Sequence, residues 1–157
     1  MKILGIDPGT AITGFGVIKA GVKTEMIDAG VVRTPANQPL AERLQTIYKE
    51  LTQLIGEYRP DQIAVEELYF AANVTTAISV SHARGVVMLC AAEAQVSNIG
   101  EYTPLQIKQA LTGYGRAEKH QIQEMVRLVL NLNQPPKPDD AADALAVAIC
   151  HSQTMEA

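Results

Sequence analysis

Four carboxylates stand out for where they fall. Asp7 ends the apolar run Lys2-Ile3-Leu4-Gly5-Ile6 and is followed at once by the breaker Pro8-Gly9, while Glu66 ends a second run, Gln62-Ile63-Ala64-Val65. Asp140 and Asp143 lie at i and i+3 at the start of an alanine-rich stretch. Singly, each has an ordinary explanation. An Asp before Pro-Gly is most often a turn-former, Glu66-Glu67 reads as an exposed strand end, and an acid at a helix start is favoured by the dipole by ~0.3–1 kcal/mol. Asp139, Asp140 and Asp143 together, two of them on one face bordered by alanines, exceed what a cap and a dipole explain. If the four meet, each pair about 4 Å apart repels by roughly 4 kcal/mol at an effective dielectric near 20, so protons or cations must neutralise them. Oxygen donors without His or Cys favour a hard divalent ion, Mg²⁺ or Mn²⁺, over zinc. Paired metals on carboxylates suit in-line displacement at a phosphodiester, one ion lowering the pKa of an attacking water and the other stabilising the leaving oxygen. No Ser or Cys sits in an activating motif with a base, which argues against a covalent intermediate.

Positioning such a set requires an α/β chain. Period-two alternation puts Ile3, Gly5 and Asp7 on one face of a first strand and Leu4 and Ile6 on the other. Pro8 presets a turn in which Gly9 is expected at positive φ. A returning antiparallel strand, Ile12 to Lys19, carries Gly14 and Gly16, bare backbone where a ligand could approach. Glu25 to Arg33 reads as a third strand. Leu40 to Tyr58, with Leu44, Ile47, Leu51 and Ile55 at helical spacing, is an amphipathic helix that Pro60 stops. Strand Gln62–Glu66 follows, and two strands that each finish on an acid suggest a shared sheet edge, where open α/β sheets bind ligands. Tyr69-Phe70 lies in a loop with one ring available for stacking. From Asn73 to about Gln95 the chain is helical, with Arg84 and Glu93 its only charges, so a second copy of the chain is expected to cover the side the sheet does not. His82 has no second ligand at i+3 or i+4 and reads as an interface or core histidine. Ser97 to Tyr102 is a short strand, Thr103 caps a helix beginning at Pro104, and a further helix from about Ala117 to Asn131 turns Lys119, His120, Gln123 and Arg127 outward. The last helix starts at Asp139, its expected cap.

The 157 residues are expected to form one domain, 1–157, with no run approaching a membrane span and no signal pattern, hence a cytoplasmic location and no membrane partner. Cys90 and Cys150 read as free buried thiols. A net charge of −4 looks unlike a nucleic-acid binder, but it is unevenly spread. From Tyr102 to Lys137 five basic residues face two acidic ones, +3, leaving 8 basic and 15 acidic elsewhere, −7. Two divalent ions held by four carboxylates would bring the formal total to zero.

GIDPGT near the start, VEELYFAAN around Glu66, HARG at His82 to Gly85, AEKHQIQEMV, and DAADALAVAI, in this order over nearly the full length, resemble the RuvC family of bacterial Holliday junction resolvases. The resemblance implies a ribonuclease H-like fold with a mixed five-stranded sheet flanked by helices. It also implies a homodimer, two Mg²⁺ per active site, and paired symmetric nicks in four-way junction DNA that leave 5′-phosphate and 3′-hydroxyl ends, in recombination and repair beside the RuvA and RuvB branch-migration proteins. The family's catalytic acids fall on Asp7, Glu66, Asp140 and Asp143, with Asp139 outside the set. Tyr69 matches a base-stacking loop aromatic, and Lys108 and Lys119 match DNA-backbone contacts. Ala72 departs from the pattern, since a basic residue often precedes that Asn, and Arg84 is a candidate to supply the missing contact.

Three other readings compete. An actin-like ATPase or sugar kinase shares the Asp-X-Gly-Thr turn but needs two lobes, which this length does not supply. A nuclease acting on RNA–DNA hybrids shares the acid geometry. A silent DNA-binding module is disfavoured because its acids would repel phosphate without metals.

Overall fold

The structure, a computed structural model, describes residues 1–67 and 74–156. Five strands, β1 (Lys2–Asp7), β2 (Ile12–Lys19), β3 (Glu25–Arg33), β4 (Gln62–Glu66) and β5 (Ile99–Tyr102), form one mixed sheet in the order β3-β2-β1-β4-β5. The short turn after β1 forces an antiparallel β1–β2 pair, whereas the long connection through helix α1 (Leu40–Tyr58) returns β4 parallel to β1. β4 and β5 are likewise parallel, joined through α2 (Val74–Glu93). The remaining helices are α3 (Pro104–Thr112), α4 (Lys119–Val129) and α5 (Asp139–Glu156).

Alternation along the strands divides the core in two. Leu4, Ile6, Ile63 and Val65 pack with Ile47, Leu51 and Ile55 of α1 and Ala83, Val87, Cys90 and Ala91 of α2. Ile3, Ile18 and Ala64 pack on the opposite face with Leu145 to Cys150 of α5 and with Ile107, Leu111, Ile122 and Val126 of α3 and α4. Both cysteines are buried free thiols.

α5 lies almost directly on the sheet backbone. A Cβ at Gly5 would stand 2.1 Å from the Ala144 carbonyl oxygen, one at Gly14 would stand 2.0 Å from the Asp140 carbonyl oxygen, and one at Gly16 would strike Leu145 at 2.7 Å. The bare strand backbone therefore receives a helix, not the ligand expected there. Gly9 is also not at positive φ, since among the described residues Gly113 is the one glycine that is. Its small size matters instead because a Cβ would lie 2.3 Å from the Ile12 carbonyl oxygen.

α5 extends well beyond the alanine-rich stretch, and Asp139 is its first residue, not a cap outside it. Thr103 does cap α3, accepting from the Gln106 amide in a reciprocal capping box. By length and composition alone α2 is long and apolar enough to cross a membrane, which corrects the expectation that no run reaches that length. Its inner side is in the core just described, and its outer side leaves Val74, Ile78 and Leu89 exposed. His82 is exposed on α2, which removes the core reading.

The glycine contacts set one expectation for stability. Gly5→Ala should cost on the order of 3 kcal/mol in a urea titration, because backbone faces the added methyl. Gly56→Ala on α1, where nothing lies within 4 Å, should instead gain about 0.5–1 kcal/mol.

Candidate active site

The sheet register assembles the acids. Ile6 pairs with Val65 across the parallel β1–β4 ladder, so the next residues along, Asp7 and Glu66, end neighbouring strands. They share the pleat face of Gly5 and Ala64, which is the face that α5 covers. Across the antiparallel ladder Asp7 pairs with Gly14, and Gly14 is the glycine on which the Asp140 backbone rests. The first turn of α5 is thereby seated beside the end of β1, and Asp143 follows one turn along the same helix.

Asp7 feels the charge of the other three acids. Burial, then repulsion from Glu66, Asp143 and Asp140, pushes the Asp7 carboxyl up to about 9, so at neutral pH it carries a proton and donates it to Glu66. Glu66 is raised chiefly by burial, with Asp143 adding repulsion, while the Asp7 hydrogen bond and the Lys119 and Lys108 ammonium groups pull it back. Asp143 is raised by burial and by Asp140 and Asp139, against the opposing pull of Lys119. Lys119 Nζ stands 3.1 Å from Asp143 Oδ2 and 3.8 Å from Asp139 Oδ2. One proton and one ammonium group thus offset part of the repulsion.

Among the described residues no three His, Cys, Asp or Glu side chains converge tightly enough to cage an ion. The donor chemistry nonetheless fits a hard divalent cation. The carboxylates that repel Asp7 offer oxygen alone, and their mutual repulsion is what such a cation relieves. A pocket of about 250 Å³ opens beside them, lined by Glu66, Asp143, Lys108 and Lys119 and walled by Ile107 and Ile122.

The other expected site residues divide. Lys108 and Lys119 both border this pocket. That Lys119 would pair with an acid of the cluster was not foreseen, since nothing in the spacing of residues 119 and 143 signals contact. Arg84 is ion-paired with Glu101 of β5, so it is not a free cation for a ligand. Arg127 is likewise committed, its guanidinium held by Glu124 at 2.6 Å and donating to the Leu132 carbonyl at 3.1 Å. Tyr69, Phe70 and Ala72 lie outside the described residues.

The chain is similar to known proteins in both sequence and fold. The family model described as crossover junction endodeoxyribonuclease RuvC matches residues 3–151. The RuvC of Heliobacterium modesticaldum is 58% identical over 156 residues, covering 99% of this chain and 96% of that protein. That of Alkaliphilus metalliredigens is 56% identical over 155 residues, covering 98% and 94%. The structure of Thermus thermophilus RuvC in complex with Holliday junction substrate superposes with a TM-score of 0.93 at 38% identity, covering 99% of this chain and 94% of that one.

The raised Asp7 carboxyl makes metal-free stability depend on pH. Its folded value lies above the ordinary 3.8, so between about pH 4 and its folded value of about 9 the folded protein keeps a proton that the unfolded chain has lost. Stability from this group is full below about pH 4 and declines as pH rises toward 9. Without metal, Asp7→Asn should therefore melt higher than the parent, by at least about 2–4 °C at pH 8, with the gain shrinking toward pH 4, as read by calorimetry. A loss at every pH would show that Asp7 is not held against repulsion.

Proposed function

The chain belongs to the RuvC family of crossover junction endodeoxyribonucleases, and we propose that it resolves four-way DNA junctions through Asp7, Glu66, Asp140 and Asp143. It is a metal-dependent nuclease of ribonuclease H-like fold acting on Holliday junctions in recombination and repair. The single observation that supports the assignment of residues is the register that ends the neighbouring strands β1 and β4 on Asp7 and Glu66, with the first turn of α5 seated on Gly14 beside them. Two Mg²⁺ per subunit, with Mn²⁺ a substitute, would be held by the four carboxylates. When bound, the metals lower the pKa of an attacking water and stabilise the leaving oxygen of the phosphodiester.

The chain's own residues do the rest. Strand register ends β1 and β4 on Asp7 and Glu66, and the seat of α5 on Gly14 brings the backbone bearing Asp140 and Asp143 beside them, so a bound ion would have only side chains to draw in. Asp7 must give up its proton for both strand-end carboxylates to act as ligands, which makes metal affinity rise with pH. Lys119, exposed at 57%, can swing from Asp143 to a DNA phosphate once other cations neutralise the acid. Lys108, across the pocket, supplies a second phosphate contact. Tyr69 stacks on a base near the crossover. Arg84 shares its charge with Glu101, so any contact it makes to DNA is weaker than that of an unpaired arginine.

Paired symmetric nicks need two active sites, and the outer side of α2 is our candidate for a homodimer interface. Val74 (72% exposed), Ile78 (54%) and Leu89 (52%) leave apolar surface there, and Gly85 has nothing within 4 Å, so another helix can approach closely. We assign one nuclease domain, cytoplasmic, working beside RuvA and RuvB, on the strength of the family resemblance.

The test is cleavage of a four-way junction with a short mobile core, beside linear duplex and an RNA–DNA hybrid, in Mg²⁺ and then in Ca²⁺. Paired Mg²⁺-dependent nicks confined to the junction are expected, and cutting of the hybrid alone would reassign the substrate. Asp143→Asn should reduce single-turnover cutting by on the order of a thousandfold or more while leaving junction binding in Ca²⁺ within about threefold. Lys108→Ala and Lys119→Ala should weaken binding and flatten the plot of log affinity against log salt by about one unit each. A salt slope equal to the parent's would take that lysine off the DNA surface.

A further inference from the structure

The turn that follows Asp7 is held by hydroxyls. Thr10, buried at 4% exposure, donates its Oγ1 hydrogen to the Ser79 carbonyl oxygen of α2 at 2.5 Å, and Ser79 Oγ donates back to Thr10 Oγ1 at 3.0 Å. From the other side the buried Thr34 Oγ1 donates to the Thr10 carbonyl at 2.5 Å and accepts from Arg43 Nε of α1 at 2.8 Å. Thr13 Oγ1 donates to the Gly9 carbonyl at 2.7 Å. These polar atoms lie in or next to the core, where each would lose on the order of 1–3 kcal/mol if left unpaired, so the network fixes the turn strongly. α2 and α1 are therefore linked to the backbone three residues from Asp7.

We propose that Thr10 is the positioning residue for Asp7: its reciprocal hydrogen bonds with Ser79 and its carbonyl bond from Thr34 hold the turn, and through it the Asp7 carboxylate, in the place a divalent ion requires. This rests on the reading of Asp7 as a metal ligand given above. Thr10 touches neither metal nor DNA in this role. Its hydroxyl clamps the turn to α2, so a change in the seat of α2 is transmitted to Asp7.

The experiment compares the parent, Thr10→Val, Thr10→Ser and Ser79→Ala, with Thr52→Val, a hydroxyl deletion between α1 and α2 beside Cys90, as control. Each full-length protein is titrated with Mg²⁺ while the melting temperature is followed, and is then assayed for single-turnover nicking of the four-way junction well below its own melting point. Thr10→Val should shift the Mg²⁺ concentration for half-maximal stabilisation upward by about tenfold and slow nicking by on the order of ten- to a hundredfold, with junction binding in Ca²⁺ unchanged within about twofold. Thr10→Ser, which keeps the hydroxyl, should restore both, Ser79→Ala should shift Mg²⁺ in the same direction by less, and Thr52→Val should move neither. If Thr10→Val does not fold, Ser79→Ala carries the test alone. A Mg²⁺ titration of Thr10→Val that overlays the parent's, or a parent that shows no Mg²⁺-dependent stabilisation, overturns the inference even if the parent cuts junctions. A shifted titration with a parent that cuts no junction supports the positioning role and overturns the resolvase reading instead.

Discussion

The structure depends on three strand glycines lying beneath one helix. Gly5, Gly14 and Gly16 remove every side chain from a patch of β1 and β2, and the backbone of α5 settles into the space. The sheet–helix separation is consequently set by main-chain atoms, which cannot adopt another rotamer, and the start of α5 is pinned to the residue paired with Asp7. Ala144 and Ala148, both buried, are the α5 residues that meet Gly5 at this separation. A bulkier residue at either point would lift α5 and carry Asp140 and Asp143 with it.

That rigidity holds an unfavourable charge arrangement. Left to itself a surface would spread four acids apart, and here backbone packing brings them together at a cost visible in the raised Asp7 and Glu66 carboxyls. The opposing charge is drawn from whatever is at hand, a proton between the strand ends and the Lys119 ammonium at the helix start. Local strain of this kind is tolerated because two well-packed cores, one on each side of the sheet, over-determine the positions of the elements that bear the acids.

Much of this was legible in the order of residues. Strand and helix boundaries followed from apolar periodicity and from Pro60 and Thr103, and Asp7 and Glu66 declared themselves by ending apolar runs. What was not legible is long-range. Gly14 and Gly16 signal a close approach but not by what, and a helix distant in sequence fills the place a ligand was expected to take. Lys119 reads as an outward-facing helix residue, and its partner Asp143 lies on another element. Arg84 looked like a spare cation because its helix is poor in charge, and the counter-charge came from Glu101 on a neighbouring strand. The hydroxyl links among Thr10, Thr34 and Ser79 join three segments whose sequences give no sign of each other. The far end of α5 was not legible either, because Cys150 to Glu156 trades the alanine signature for polar residues without a breaker.

The β3-β2-β1-β4-β5 order, closed by α5, has a further meaning for how the protein comes into being. The first strands to leave the ribosome can form their hairpin at once, but the face that will bear the acids stays bare until residues beyond 139 are available to lie across it. The proposed site thus depends on contacts between the two ends of the chain, the long-range kind whose loop-closure entropy has to be met before they stabilise anything. Without α5 the glycine-floored face of β1 and β2 is open apolar surface, so the C-terminal helix also decides whether the sheet is exposed to association.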